Sequence, residues 1–186
     1  MNPTPTYQDE ERKPPPILQW AIFISILCLC PMFVAGPGVF LLKRFSDATS
    51  ESNITATCTM RLRKIGQAME LYTIDYNGQY PPADRWIDAT WRYAGKRPPE
   101  DETASIFRCP IVWQEERKGF GYAMNEELSS AKRTEVENPD GSVLVFDSSV
   151  KDKNAASSLD SLPSPKRHDK KSENFGVAVN GGIIKL

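Results

Sequence analysis

The sequence predicts an α+β fold: an N-terminal transmembrane helix, then a long amphipathic helix packed on a small antiparallel β-sheet. Three observations lead there. They are an apolar run near the start, a helical apolar stripe behind it, and an Asn-Gly turn between apolar residues at the end. The average composition hides this. Of 186 residues 40% are hydrophobic, and 23 Lys+Arg nearly balance 24 Asp+Glu. That balance argues against a nucleic-acid partner, which needs a basic field, and against an acidic disordered protein. The apolar residues are concentrated, with no charged residue between Lys13 and Lys43.

Residues 1–16 are polar, contain five prolines and read as a disordered tail. In residues 17–42 only Gln19 and Ser25 are polar. As a helix this run would measure ~39 Å, enough to cross a ~30 Å hydrocarbon core. A buried core helix is rarely apolar on every side. One span in the lipid bilayer is therefore expected. A cleaved signal peptide would have a shorter apolar region. A hairpin turning at Gly36-Pro37-Gly38 would need about 40 apolar residues. Pro31 and Pro37 remove backbone donors and predict a kink between Cys30 and Gly38. Arg12 and Lys13 on one side and Lys43 and Arg44 on the other leave the orientation open.

Residues 43–186 form the remaining domain, with equal numbers of basic and acidic residues. Ile54, Cys58, Leu62, Ile65, Met69, Tyr72 and Tyr76 recur three or four apart, one stripe of a helix from Thr49 to Tyr76. Asn77-Gly78 suits a left-handed cap, and Pro81-Pro82 forbids continuation. Trp86, Ile87, Thr90 and Trp91 suit a short helix, and Ile106 to Trp113 reads as a short element broken by Pro110. Gly121 to Asn125 and Ser142 to Asp147 read as strands, with a turn at Pro139-Asp140-Gly141 before the second. Val150 to Lys171, rich in Ser, Lys, Asp and Pro, reads as a long surface loop. Asn180-Gly181 between Phe175–Val179 and Ile183–Leu186 predicts a hairpin with a type I′ turn.

The run Cys58-Thr-Met-Arg-Leu-Arg-Lys-Ile-Gly-Gln-Ala-Met-Glu-Leu-Tyr-Thr-Ile-Asp-Tyr-Asn-Gly-Gln-Tyr-Pro-Pro82 resembles the region behind the membrane helix of pseudopilin-like proteins. These are relatives of type II secretion major pseudopilins. The nearest resemblance is to a bacterial group, typical of planctomycete-like lineages, that ends in His-x9-Asp-Gly. Leu62, Ile65, Gly66, Tyr72, Asp75, Tyr76, Gly78, Tyr80 and Pro81 occupy its defining positions. Phe107-Arg-Cys-Pro110 matches its later Cys-Pro, and Arg167-His168 with the terminal hairpin matches its end. Two departures stand out. His168 is followed by eleven residues and then Asn180-Gly181, and no prepilin cleavage motif precedes the apolar run. The resemblance implies a pilin-like fold. It also implies a cytoplasmic tail (1–16), a single pass through the inner (cytoplasmic) membrane, and an extracytoplasmic domain (43–186).

Outside the cytoplasm a disulfide between Cys58 and Cys109 is permitted. It would close a loop worth about 4 kcal/mol in the chain-entropy treatment; two free buried thiols are the alternative. Lys166, Arg167, Lys170 and Lys171 place His168 in an exposed basic loop. A triad of His168 with a serine or Cys58 has no nucleophile elbow near it. Zinc held by Cys58, Cys109 and His168 lacks a fourth ligand and any paired spacing. Asp75, Asn77, Asp84, Asp88 and Asp147 offer oxygen ligands without EF-hand spacing. No catalytic, cofactor or metal role is therefore assigned. The expected function is non-enzymatic: a structural or interaction role in a secretion- or envelope-associated assembly, with pseudopilin-like or envelope proteins as partners. The alternative is a membrane-tethered module for a small ligand or polysaccharide, using Trp86, Trp91 and Tyr93.

Overall fold

The computed structural model describes residues 52–95, 105–117, 119–168 and 172–186. All belong to one compact unit, Ala48–Leu186. The expected tail (1–16) and transmembrane helix (17–42) lie outside the described residues. Among the described residues no helix is long and apolar enough to cross a membrane. The predicted fold class is corrected accordingly, to an α+β unit with a five-stranded sheet. The first helix, α1 (residues 52–75), has the length but not the polarity, because Arg63, Lys64, Gln67, Glu70 and Asp75 occupy its exposed face.

On the opposite face of α1 Cys58, Leu62, Ile65, Met69 and Tyr72 are buried, as the stripe requires. Tyr76 departs from it and is exposed, stacked on Tyr72 with ring centroids 4.0 Å apart. The helix stops where Asn77 and Gly78 turn left-handed, at φ 53° and 80°. Gly78 N–H donates to the Thr73 carbonyl at 2.7 Å, which caps the last turn. A 3₁₀ turn (Ala83–Arg85), the short helix α2 (Trp86–Thr90) and a second 3₁₀ turn (Trp91–Tyr93) follow. Helix α3 (Pro110–Glu115) begins at the proline that the sequence reading took for a break. At the first helical position the missing N–H has no partner to lose, so proline starts the helix.

Strands β1 (Tyr122–Asn125), β2 (Val143–Asp147), β3 (Ala156–Ser157), β4 (Phe175–Ala178) and β5 (Ile183–Lys185) form one sheet in the order β3-β1-β2-β4-β5. Three pairings are antiparallel and β1–β3 is parallel. The sheet is therefore mixed, a second correction to the predicted class. The terminal hairpin forms with Val177 opposite Ile183. Its turn differs from the expected type I′. Only Gly181 has positive φ (87°), with Gly181 N–H donating to Ala178 and Ala178 N–H donating to Gly182. That is a three-residue loop closed by a glycine bulge.

One face of the sheet lies under α1, where Tyr122, Met124, Leu144, Val145, Phe175 and Val177 join Leu62, Ile65, Met69 and Trp86 in the larger core. A bulge between Val143 and Val145 turns both Leu144 and Val145 to this side. Helix and sheet meet closely at Gly66, where a Cβ would stand 2.8 Å from Val177 Cγ2. The other face carries Ala123, Val143 and Phe146 and is covered by Val150, Ala155 and Leu162. The described part of the expected surface loop over Val150 to Lys171 is mostly irregular chain, but Val150, Ala155 and Leu162 turn inward from it. Strands apolar on both faces need two covers, and this polar segment supplies the second with a few apolar anchors.

Candidate functional site

The chemistry-bearing side chains converge beneath the first half of α1. Cys58 comes from α1, and Cys109 directly precedes α3, where its N–H donates to Phe120 O at 2.7 Å. Asp147 ends β2. His168 arrives from the segment before β4, where its N–H donates to Glu173 O at 2.8 Å. All four are at most 1% exposed. The exposed basic loop expected around His168 is thus corrected. Arg167 turns inward rather than outward, donating to the carbonyls of Gly121 and Ser148, both at 2.7 Å, with Asp147 Oδ1 at 3.4 Å. Three oxygens thereby offset the cost of burying a guanidinium. Lys170 and Lys171 lie outside the described residues.

Cys58 Sγ and Cys109 Sγ stand 3.9 Å apart as free, hydrogen-bonded thiols. Their hydrogen bond pushes the Cys58 thiol up, and burial adds to it. Burial works in the same direction on Cys109. There the hydrogen bond from Cys58, the Arg167 charge and the Val112 backbone N–H outweigh it, leaving that thiol below its ordinary value. His168 Nε2 lies 3.0 Å from Asp147 Oδ2, although neither ring nitrogen makes an aligned hydrogen bond. Asp147 Oδ2 accepts the Phe175 N–H at 2.8 Å, and the His168 ring tilts against Phe175 with centroids 5.2 Å apart. The Tyr122 hydroxyl is also buried without a hydrogen-bond partner. Burial raises Tyr122 well above the usual phenol, with the two cysteines adding to the effect.

Among the described residues one group of three or more His, Cys, Asp and Glu side chains could hold a metal ion: Cys58, Cys109 and His168. Their ligand atoms lie within 4.8 Å of one another. The oxygen ligands considered for calcium do not converge. Asp75 accepts from Tyr93 Oη at 2.6 Å, Asp88 pairs with Lys153 and Asn154, and Asp84 contacts Arg85. A thiol, an imidazole and a carboxylate also resemble a nucleophile–base–acid set. Here all of them are buried in the core.

The remaining motif residues have structural places. Leu62 and Ile65 fill the core, and Gly66 lets α1 approach β4. Asp75 and Tyr72 meet Tyr93 at the helix end, Tyr76 stacks on Tyr72, and the Asp75 hydrogen bond pushes Tyr93 up to about 12. Tyr80 and Pro81 are buried, with backbone bonds to Ala131 and Ser130. Asn180 and Gly181 make the hairpin turn. The sequence reading missed Tyr122 and the inward role of Arg167. It weighed Asp147 only as a calcium ligand. One signal was available: a carboxylate ending an otherwise apolar strand needs a buried partner. Comparison with protein-family models, with curated proteins and with solved structures returned no match.

Proposed function

We propose that this chain is a non-enzymatic interaction protein of the bacterial cell envelope. It is held at the inner membrane through residues 17–42 and presents a pseudopilin-like α+β domain outside the cytoplasm. The outer face of α1 carries this reading. Leu71 and Ile74 are exposed there, Ile74 at 71%. Apolar side chains grouped on an otherwise charged helix favour contact with a neighbouring protein. Burial of the cysteines, His168 and Asp147 supports structural rather than catalytic work. The motif from Cys58 to Pro82, followed by a terminal antiparallel hairpin, supports the pseudopilin-like class. Trp86 weighs against an aromatic ligand platform: it is fully buried, packs edge-on to Phe107, and donates Nε1–H to Ala155 O at 3.0 Å.

A photo-crosslinking residue at Ile74 of the full chain tests the interaction in cells. Crosslinks to an envelope protein or to a second copy are expected, in the membrane fraction. Soluble protein without crosslinks would overturn the reading. A reporter fused after Leu186 is expected to be active outside the cytoplasm, and cytoplasmic activity would overturn the localisation.

A further inference from the structure

We propose that Cys58, Cys109 and His168 form a structural zinc site that ties α1 to the start of α3 and to the segment before β4. Elements far apart in sequence deliver two sulfurs and an imidazole into one buried volume. Two thiolates on a tetrahedral zinc, each at about 2.3 Å, stand ~3.8 Å apart. The two sulfurs here stand 3.9 Å apart. Two sulfurs with one nitrogen select zinc over calcium or magnesium, which take oxygen.

Asp147 supplies the outer shell. Its Oδ2 lies 3.0 Å from His168 Nε2 and is itself held by the Phe175 N–H. A carboxylate behind a histidine fixes the ring and strengthens it as a ligand. The polar atoms left without partners point the same way. Buried polar groups in native proteins are nearly always satisfied. Yet neither ring nitrogen of His168 makes an aligned hydrogen bond. Zinc takes up one ring nitrogen, and a water completes its tetrahedron. Charge also balances. One zinc dication displaces the two thiol protons to solvent, so the buried sum with Asp147 and Arg167 stays at zero. Full burial of the three ligands fits a structural centre rather than a catalytic one, which keeps a position open to substrate. A metal held this way excludes a disulfide between the same cysteines.

The test uses the full chain, purified in detergent under reducing conditions and washed free of loose metal. Elemental mass spectrometry is expected to find about one zinc per chain. Cobalt alone, added to chelator-stripped protein, is expected to give thiolate-to-cobalt charge transfer and intense tetrahedral d–d bands. Cys109→Ser and His168→Gln are each expected to lose the zinc, and Asp147→Asn to weaken it ~10–100-fold. The cobalt spectrum of the unaltered protein does not depend on whether those variants fold. Folded, reduced protein that retains no zinc and shows no cobalt bands would overturn the proposal. A Cys58–Cys109 disulfide in protein taken from cells with its thiols blocked would overturn it equally.

Discussion

The two faces of the sheet are built by different means. Under α1 the contact is made of large side chains: Leu62, Ile65, Met69 and Trp86 against Tyr122, Met124 and Val177. The opposite face is closed by a polar segment with few apolar anchors. Serines tie that segment down. Ser149 N–H donates to Ser161 O at 2.7 Å, the Ser148 and Ser161 hydroxyls meet at 2.9 Å, and Asn154 Oδ1 accepts the Ile87 and Asp88 N–H groups. Apolar area stabilises by roughly 25 cal/mol per Å², whereas a net hydrogen bond contributes about 1 kcal/mol. The helix side should therefore carry most of the stability, and the serine side should open first.

Substitutions can break or sharpen this contrast. The largest effect is expected at Leu62→Ala, which removes a fully buried side chain from the helix side and should cost ~2–5 kcal/mol in denaturant unfolding. The matching change on the serine side, Leu162→Ala, should cost only about 1 kcal/mol, because Leu162 is half-buried. Equal costs would erase the contrast.

Next comes alkaline pH. Burial pushes Tyr80, on the helix side, up to about 12. A tyrosine whose folded value is raised contributes stability below its ordinary value near 10, and that stability is lost as pH rises through 12. The ceiling is about 3 kcal/mol. The melting temperature of the parent should therefore fall more steeply between pH 10 and 12 than that of Tyr80→Phe. Parallel curves would remove Tyr80 as a cause.

Gly66→Ala probes the contact itself. Its Cβ would meet the end of the Val177 side chain at 2.8 Å, so overpacking of ~1–3 kcal/mol is expected. A neutral result would mean that α1 rides higher over β4. The smallest effect is expected at Arg133→Ala. This removes an exposed ion pair to Glu70 at 2.9 Å and should shift stability by less than ~1 kcal/mol.

The same contrast explains what was legible in the sequence. Cys58, Leu62, Ile65, Met69 and Tyr72 repeat with the helical period, so α1 and the face it buries could be read directly. Asn77-Gly78 and Asn180-Gly181 marked their turns because left-handed backbone narrows the choice of residue. The serine side had no such period. Its hold comes from hydroxyls and backbone groups, which leave no apolar pattern, so Val150 to Lys171 read as loop. His168 was misplaced for a related reason. Its neighbours Lys166 and Arg167 announce solvent, and only the folded chain shows Arg167 turned in toward Gly121, Asp147 and Ser148. A Cys58–Cys109 disulfide was permitted only by the expected compartment; the two stand 3.9 Å apart as free thiols, and their meeting with His168 depends on tertiary structure that no spacing encodes.

The order β3-β1-β2-β4-β5 also governs how copies of the domain can meet. One edge of the sheet is the two-residue β3, and the other is β5, three residues long with Lys185 on it. Short and charged edges are poor templates for adding a strand from another chain. Growth by sheet extension is thereby discouraged at both ends. Association is left to side-chain surfaces such as the outer face of α1, and an assembly made that way would stack domains through helices and leave each sheet separate.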